Sequence, residues 1–212
     1  MRYAKIGLWA LPIFTLALFA GTITHQPAPQ TDLGGWSAYV TTNEFLLSHI
    51  VFSIIGAAFG AIGSVALGAI LVERGSIKLG LVGLITGVSA MVIGSSVFGI
   101  AAFAQPAIGR LYLSGQVQTA RDMYNDAAQG IPLVVVALLF IVLVVTSFVV
   151  FGVAVARMRG MPRWAGVGYA VGGVVFAVVG FVLDNWIQSV GAVLLILSSS
   201  WIAFSVTGLP RR

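Results

Sequence analysis

The chain contains no cysteine, two histidines and few charges. Without cysteine there are no disulfides, thiolate metal sites, c-type haem attachments or thiol nucleophiles. Charged residues make up 8% of the sequence, against roughly 25% in a soluble domain. Acids are scarcer than bases, at six Asp and Glu to eleven Lys and Arg. No Walker motif, HExxH pair or GxSxG serine occurs, so the sequence carries none of the signatures of ATPases, zinc hydrolases or serine hydrolases.

What fills the chain is apolar. Hydrophobic residues make up 59%, and mean hydropathy is +1.05. At about 20 residues per crossing, six spans use most of the 212 positions. The reading is therefore one all-α membrane domain, 1–212, with spans near 6–23, 45–72, 79–104, 133–156, 164–183 and 186–206. Outer loops are expected at 24–44 and 105–131. The basic start and first apolar run resemble a signal peptide, but no clear A-x-A site follows, so an uncleaved span kinked at Pro12 is expected.

The few charges sort by side. Arg2, Lys5, Arg74, Lys78, Arg157, Arg159, Arg163, Arg211 and Arg212 fall at span ends on one side, while Arg110 and Arg121 fall on the other. Asp32, Glu44, Asp122, Asp126 and Asp184 lie opposite the basic side, which holds only Glu73. This split is the positive-inside pattern, and it predicts a plasma-membrane protein with both termini cytoplasmic. It also accounts for the basic pI without nucleic acid, because no basic run alternates with stacking aromatics.

The second span, residues 45–72, organises the rest. Gly56, Gly60, Ser64 and Gly68 recur every fourth position, giving a smooth stripe against which another helix can pack to backbone contact. The third span carries Gly80, Gly83, Gly87 and Gly94, and its stripe is expected to face Gly56 and Gly60. The fifth span adds Gly168, Gly172 and Gly180. Segments 63–87 and 147–172 share one grammar: an apolar helix, a basic turn with glycine, then a glycine-rich apolar helix. That pattern fits an internal repeat, or it is the grammar that any two consecutive outer-to-inner hairpins share.

Between the spans, Pro27, Pro29, Gly34 and Gly35 break the first outer loop, and Trp36 and Tyr39 suit a headgroup layer. In the second outer loop, Val117, Ala120, Tyr124 and Ala127 predict a short amphipathic helix. Asp184 is placed to cap the sixth span. The segment Met161-Pro162-Arg163-Trp164-Ala165-Gly166 resembles stretches of small bacterial multi-pass membrane proteins, and this likeness implies no function.

His49 is the sharpest chemical candidate, an ionisable group about one turn inside a span. It suits a proton carrier or a metal or haem ligand, or it is an interfacial ring bonded to its own helix. His25, with Glu44 and Asp32, would complete an oxygen and nitrogen metal site. Arg110, Arg121 and Asp122 form the other polar cluster, suited to a polar ligand or headgroup. Ser95, Ser96 and Ser198 to Ser200 have no base near them in sequence and read as packing residues.

Smooth helix faces beside few reactive groups point to a non-enzymatic protein that works by packing. It would be an accessory subunit of a larger membrane assembly, or a binder of a lipid or quinone. The partners expected are the bilayer, other membrane subunits or a second copy; the sequence names no cofactor. One alternative is a small-solute channel or transporter with His49 and Glu44 at its outer mouth. Another is a metal or haem redox protein using His49.

Overall fold

The computed structural model describes residues 2–24, 32–180 and 184–207. It is 90% helical, with no strand among the described residues, and has six helices long and apolar enough to cross a membrane. A helix satisfies its own backbone polar groups, which is why long apolar runs adopt it where water is excluded.

The first helix, α1 (Tyr3–Ile23), has its ladder interrupted at residues 8–9. Pro12 offers no N–H to the Leu8 carbonyl, and Leu11 N–H bonds that oxygen at 3.1 Å in a tighter turn. A short helix, α2 (Leu33–Val40), follows; its cap is Asp32, whose Oδ1 accepts Gly35 N–H at 2.9 Å. Thr42 then caps α3 (Asn43–Glu73), accepting Phe45 N–H at 3.2 Å. The next helix, α4 (Ile77–Leu113), is followed by the short α5 (Val117–Met123) and by α6 (Ile131–Arg157). The chain closes with α7 (Arg163–Gly180) and α8 (Asn185–Thr207). Asp184 Oδ1 accepts Trp186 N–H at 2.6 Å at the start of α8.

The loops hold more helix than expected. The third long helix runs on to Leu113, so the following turn starts at Ser114 and not at 105. Pro106 lies inside this continuous helix. Its missing N–H falls at a wide turn, Ile100–Ala104, where Gln105 N–H reaches back five residues to the Ile100 carbonyl. Three further π-helical stretches occur at Ser48–Ile55, Tyr124–Ala128 and Val175–Gly180. All four lie toward the end of the bundle away from Arg74. Such turns are rare and concentrate at functional sites.

The six long helices pack in a closed ring, α1–α3–α4–α6–α7–α8 and back to α1, each beside its chain neighbour. Hydroxyls seal the last seam. Thr15 Oγ1 and Ser199 Oγ are hydrogen-bonded at 3.0 Å, and Ser189 Oγ donates to Thr22 Oγ1 at 2.8 Å. Trp9 meets Phe204 edge to face at 4.7 Å near the same end as Arg74. There Arg74 Nη1 donates to Met161 Sδ at 3.3 Å, joining the two basic turns. One apolar core, with Leu67, Ile70, Leu71, Phe148, Phe151, Tyr169 and Leu195 among its members, fills the ring toward this basic end.

Glycines set how closely the helices approach. A Cβ on Gly68 would meet Leu84 Cβ at 2.7 Å and the Gly80 carbonyl at 3.1 Å, and one on Gly80 would meet the Gly68 carbonyl at 3.1 Å. In the second hairpin, Gly152 and Gly166 stand in the same reciprocal relation, each Cβ falling 2.5 Å from the other's carbonyl. Further along, Ser64 lies against Gly87 and Phe148 against Gly173. The turns place Gly75 and Gly160 at φ of 92° and 77°, which only glycine adopts without strain. The two hairpins therefore share one frame of contacts.

The stripe on α3 divides between two neighbours. Gly60, Ser64 and Gly68 face α4 at Met91, Gly87 and Leu84, while Gly56 faces Ala17 of α1 and not the third span's glycines. Gly83 receives the ring of Phe151, Gly168 lies against Ser198, and Gly172 pairs with the Gly191 carbonyl at 3.0 Å.

Candidate functional site

A second, smaller core caps the far end. It joins Trp36 and Val40 of α2, Phe45 of α3, Ile108 of α4 and Ala120 of α5 with Tyr124 and Ala128. Trp36 and Tyr124 meet edge to face at 4.7 Å. The backbone of α2 comes this close to α4 because residue 109 is glycine; a Cβ there would sit 2.9 Å from the Ser37 carbonyl. Ala128 is buried where Ala127 was expected, and Ala127 is exposed. The Tyr124–Ala128 turn is π-helical, with Gln129 N–H bonded to the Tyr124 carbonyl at 3.0 Å. The extra residue per turn moves the apolar face forward by one.

His49 sits just beneath this cap, in the π-helical part of α3, and is 9% exposed. Its Nδ1 donates to the Phe45 carbonyl one turn earlier at 2.9 Å. That bond places the proton on Nδ1 in the neutral ring and the lone pair on Nε2. The imidazole lies 4.2 Å from the Phe45 ring, and Phe45 in turn packs edge to face on Tyr39 at 5.4 Å. Beside it, Ser48 Oγ donates to the Gly21 carbonyl at 3.4 Å, tying α3 to α1. His49 is thus held between its own helix and the cap.

Glu44, one turn earlier, is exposed and belongs to a different surface. With Asn43, Leu46, Leu47, Ile50 and Val51, all on one face of α3, it lines a shallow open groove of about 420 Å³ whose surface is almost wholly apolar. The fold therefore separates Glu44 from His49: the carboxylate lies on the groove rim and the imidazole is buried.

The other polar candidates lie over the cap. Arg110 lies in the last turn of α4, and Arg121 and Asp122 are on α5; all three are exposed. Asp122 Oδ1 accepts Gln118 Nε2–H at 2.9 Å, one turn away on the same helix. His25 lies outside the described residues, and among those described no three His, Asp or Glu converge as a metal group would require.

Sequence reasoning passed over two buried hydroxyls in the cap: Ser37 Oγ, which has no hydrogen-bond partner among the described residues, and Tyr124 OH, which lies beside the Gln129 side chain. It also passed over the α1–α8 seam. Thr15 and Thr22 stand two turns apart on one helix face, a spacing that marks such a seam once the facing helix is known. Compared with family models, curated proteins and solved structures, the chain matches none of them.

Proposed function

We propose that the chain is a multi-pass plasma-membrane protein, both termini cytoplasmic, that works by packing. It acts as an accessory subunit of a larger membrane assembly or as a binder of an apolar ligand such as a lipid or quinone. The observation that carries this reading is the uneven burial of α6. Toward the basic end its Val144, Phe148, Phe151, Ala154 and Val155 are buried in the core. Over residues 131–143 it has no buried residue, and Val134, Val135, Leu138, Leu139 and Val142 are exposed together. A helix that is anchored at one end and bare along the other offers a long apolar surface to whatever lies beside it in the bilayer. The nine-to-two division of Lys and Arg supports the assigned orientation.

The test is extraction directly from membranes into polymer-bounded discs, followed by native mass spectrometry. The expected result is a particle heavier than the chain plus loosely held bulk lipid, carrying a stoichiometric partner chain or a specific lipid or quinone. A bare monomer with only bulk lipid, together with solute flux in liposomes that changes on His49→Ala, would overturn the packing reading in favour of a channel.

A further inference from the structure

We infer that the groove at the start of α3 binds a phospholipid with an ammonium head, its acyl chain along the apolar wall and its amine at Glu44. This rests on the reading that the chain takes an apolar ligand from the bilayer, and it names that ligand's class and seat.

Three observations converge on this surface. The groove is open and almost purely apolar along Leu46, Leu47, Ile50 and Val51, the form an acyl chain fills. Its two polar residues, Asn43 and Glu44, come from the first turn of α3, so they lie together at one end of the wall. A hydrocarbon chain running along α3 would bring its head to that end. The third observation is charge. Asp32, Glu44, Asp122, Asp126 and Asp184 lie at this end of the bundle against Arg110 and Arg121. An anionic head there meets a carboxylate and an acidic surround, whereas an ammonium meets a charge-assisted acceptor. The Asn43 amide can donate to the phosphate of the same head. The geometry thus selects among lipids by head charge while leaving the chain unspecified.

The experiment uses the full chain in nanodiscs of equal phosphatidylethanolamine and phosphatidylglycerol, released gently and weighed by native mass spectrometry. For the wild type, retained ethanolamine lipid should exceed retained glycerol lipid by about fivefold, the scale of one partly exposed ion pair. Glu44→Gln should bring that ratio to about one with total retained lipid unchanged. Ile50→Trp, which fills the groove, should lower the total retained. Both variants sit at accessible positions, and an unchanged melting temperature verifies their fold.

An equal ratio in the wild type, or a preference that survives Glu44→Gln, overturns the inference. So does a dimer that Ile50→Trp dissociates, because the occupant is then a second copy. If the wild type holds lipid or a partner chain without head preference, the inference fails and the packing function stands. If every preparation is stripped of lipid, ligand and partner, both fail.

Discussion

The hairpins α3–α4 and α6–α7 have one backbone plan and two fillings. In the first, the Gly68–Gly80 crossing leaves a would-be Cβ 3.1 Å from the facing carbonyl, and the next contact along is a serine against Gly87. In the second, the Gly152–Gly166 crossing closes that distance to 2.5 Å, and the next contact is the Phe148 ring against Gly173. The first hairpin also has a hydroxyl from outside: Ser147 of α6 donates to the Gly83 carbonyl at 3.2 Å. The difference teaches how one frame serves two settings. Where helices touch backbone to backbone, the adjoining layer can hold a large ring; where they stand slightly apart, small polar residues complete the contact. In a membrane, where apolar surface alone does not drive helices together, such contacts supply most of the association.

The comparison can be broken by substitution, and the crossings should give the largest effect. Gly166→Val forces a side chain against Ala156 N and the Gly152 carbonyl, each 2.5 Å from a Cβ at that position. Backbone cannot yield there, so a loss of at least about 3 kcal/mol and little folded protein are expected. Gly68→Ala meets Leu84 Cβ at 2.7 Å and the Gly80 carbonyl at 3.1 Å, so α4 must move by a few tenths of an ångström; a smaller side chain at a wider crossing should cost about 2 kcal/mol with a folded product. Size-exclusion recovery after heating reads both. Equal losses at the two sites would remove the distinction between the crossings.

The fillings come next. Phe148→Ala empties a buried ring site and should destabilise by about 3 kcal/mol. Ser64→Ala loses only a 2.8 Å bond to the Gly60 carbonyl of its own helix and should stay within about 1 kcal/mol. Thermal melts in detergent decide, and a larger loss at Ser64 would contradict the assignment of weight to the aromatic. The turns should sharpen the likeness between hairpins. Gly75 and Gly160 both have positive φ and open space around a would-be Cβ. Alanine at either should cost about 1 kcal/mol, equally within error, by the same melts.

The smallest effect is expected outside the hairpins. Ser37→Ala removes a buried hydroxyl with no partner among the described residues and should leave stability unchanged or slightly raised. A clear loss in the melting temperature would show that the hydroxyl has a bonded role.

Much of this architecture was legible before any coordinates. Uninterrupted apolar runs gave six long helices, because hydropathy over such lengths reports the solvent a helix requires. The break in the α1 ladder at residues 8–9 followed from the missing donor of Pro12, and the smooth stripe on α3 from small residues four apart. What could not be read has physical reasons too. A π-helical turn leaves no mark in composition, so the shift from Ala127 to Ala128 was hidden. The outer loop expected from 105 is helical to Leu113, because Pro106 is tolerated where a wide turn already frees the carbonyl it cannot bond. The stripe announced a close contact, expected with the third span, but small residues do not name their partner and Gly56 turned to Ala17 of α1. At the candidate site, one turn separates Glu44 from His49 in sequence, yet helical rotation plus the cap sent the carboxylate to an open groove and the ring into a core.

The ring itself is the claim on which the packing account depends, and the chain's lack of cysteine makes a direct test clean. Thr22→Cys with Ser189→Cys, oxidised in native membranes, should form an intramolecular disulfide in high yield, because the native hydroxyls there are 2.8 Å apart. Absence of that cross-link in properly inserted protein, or its formation only between chains, would contradict a bundle closed by its first and last helices.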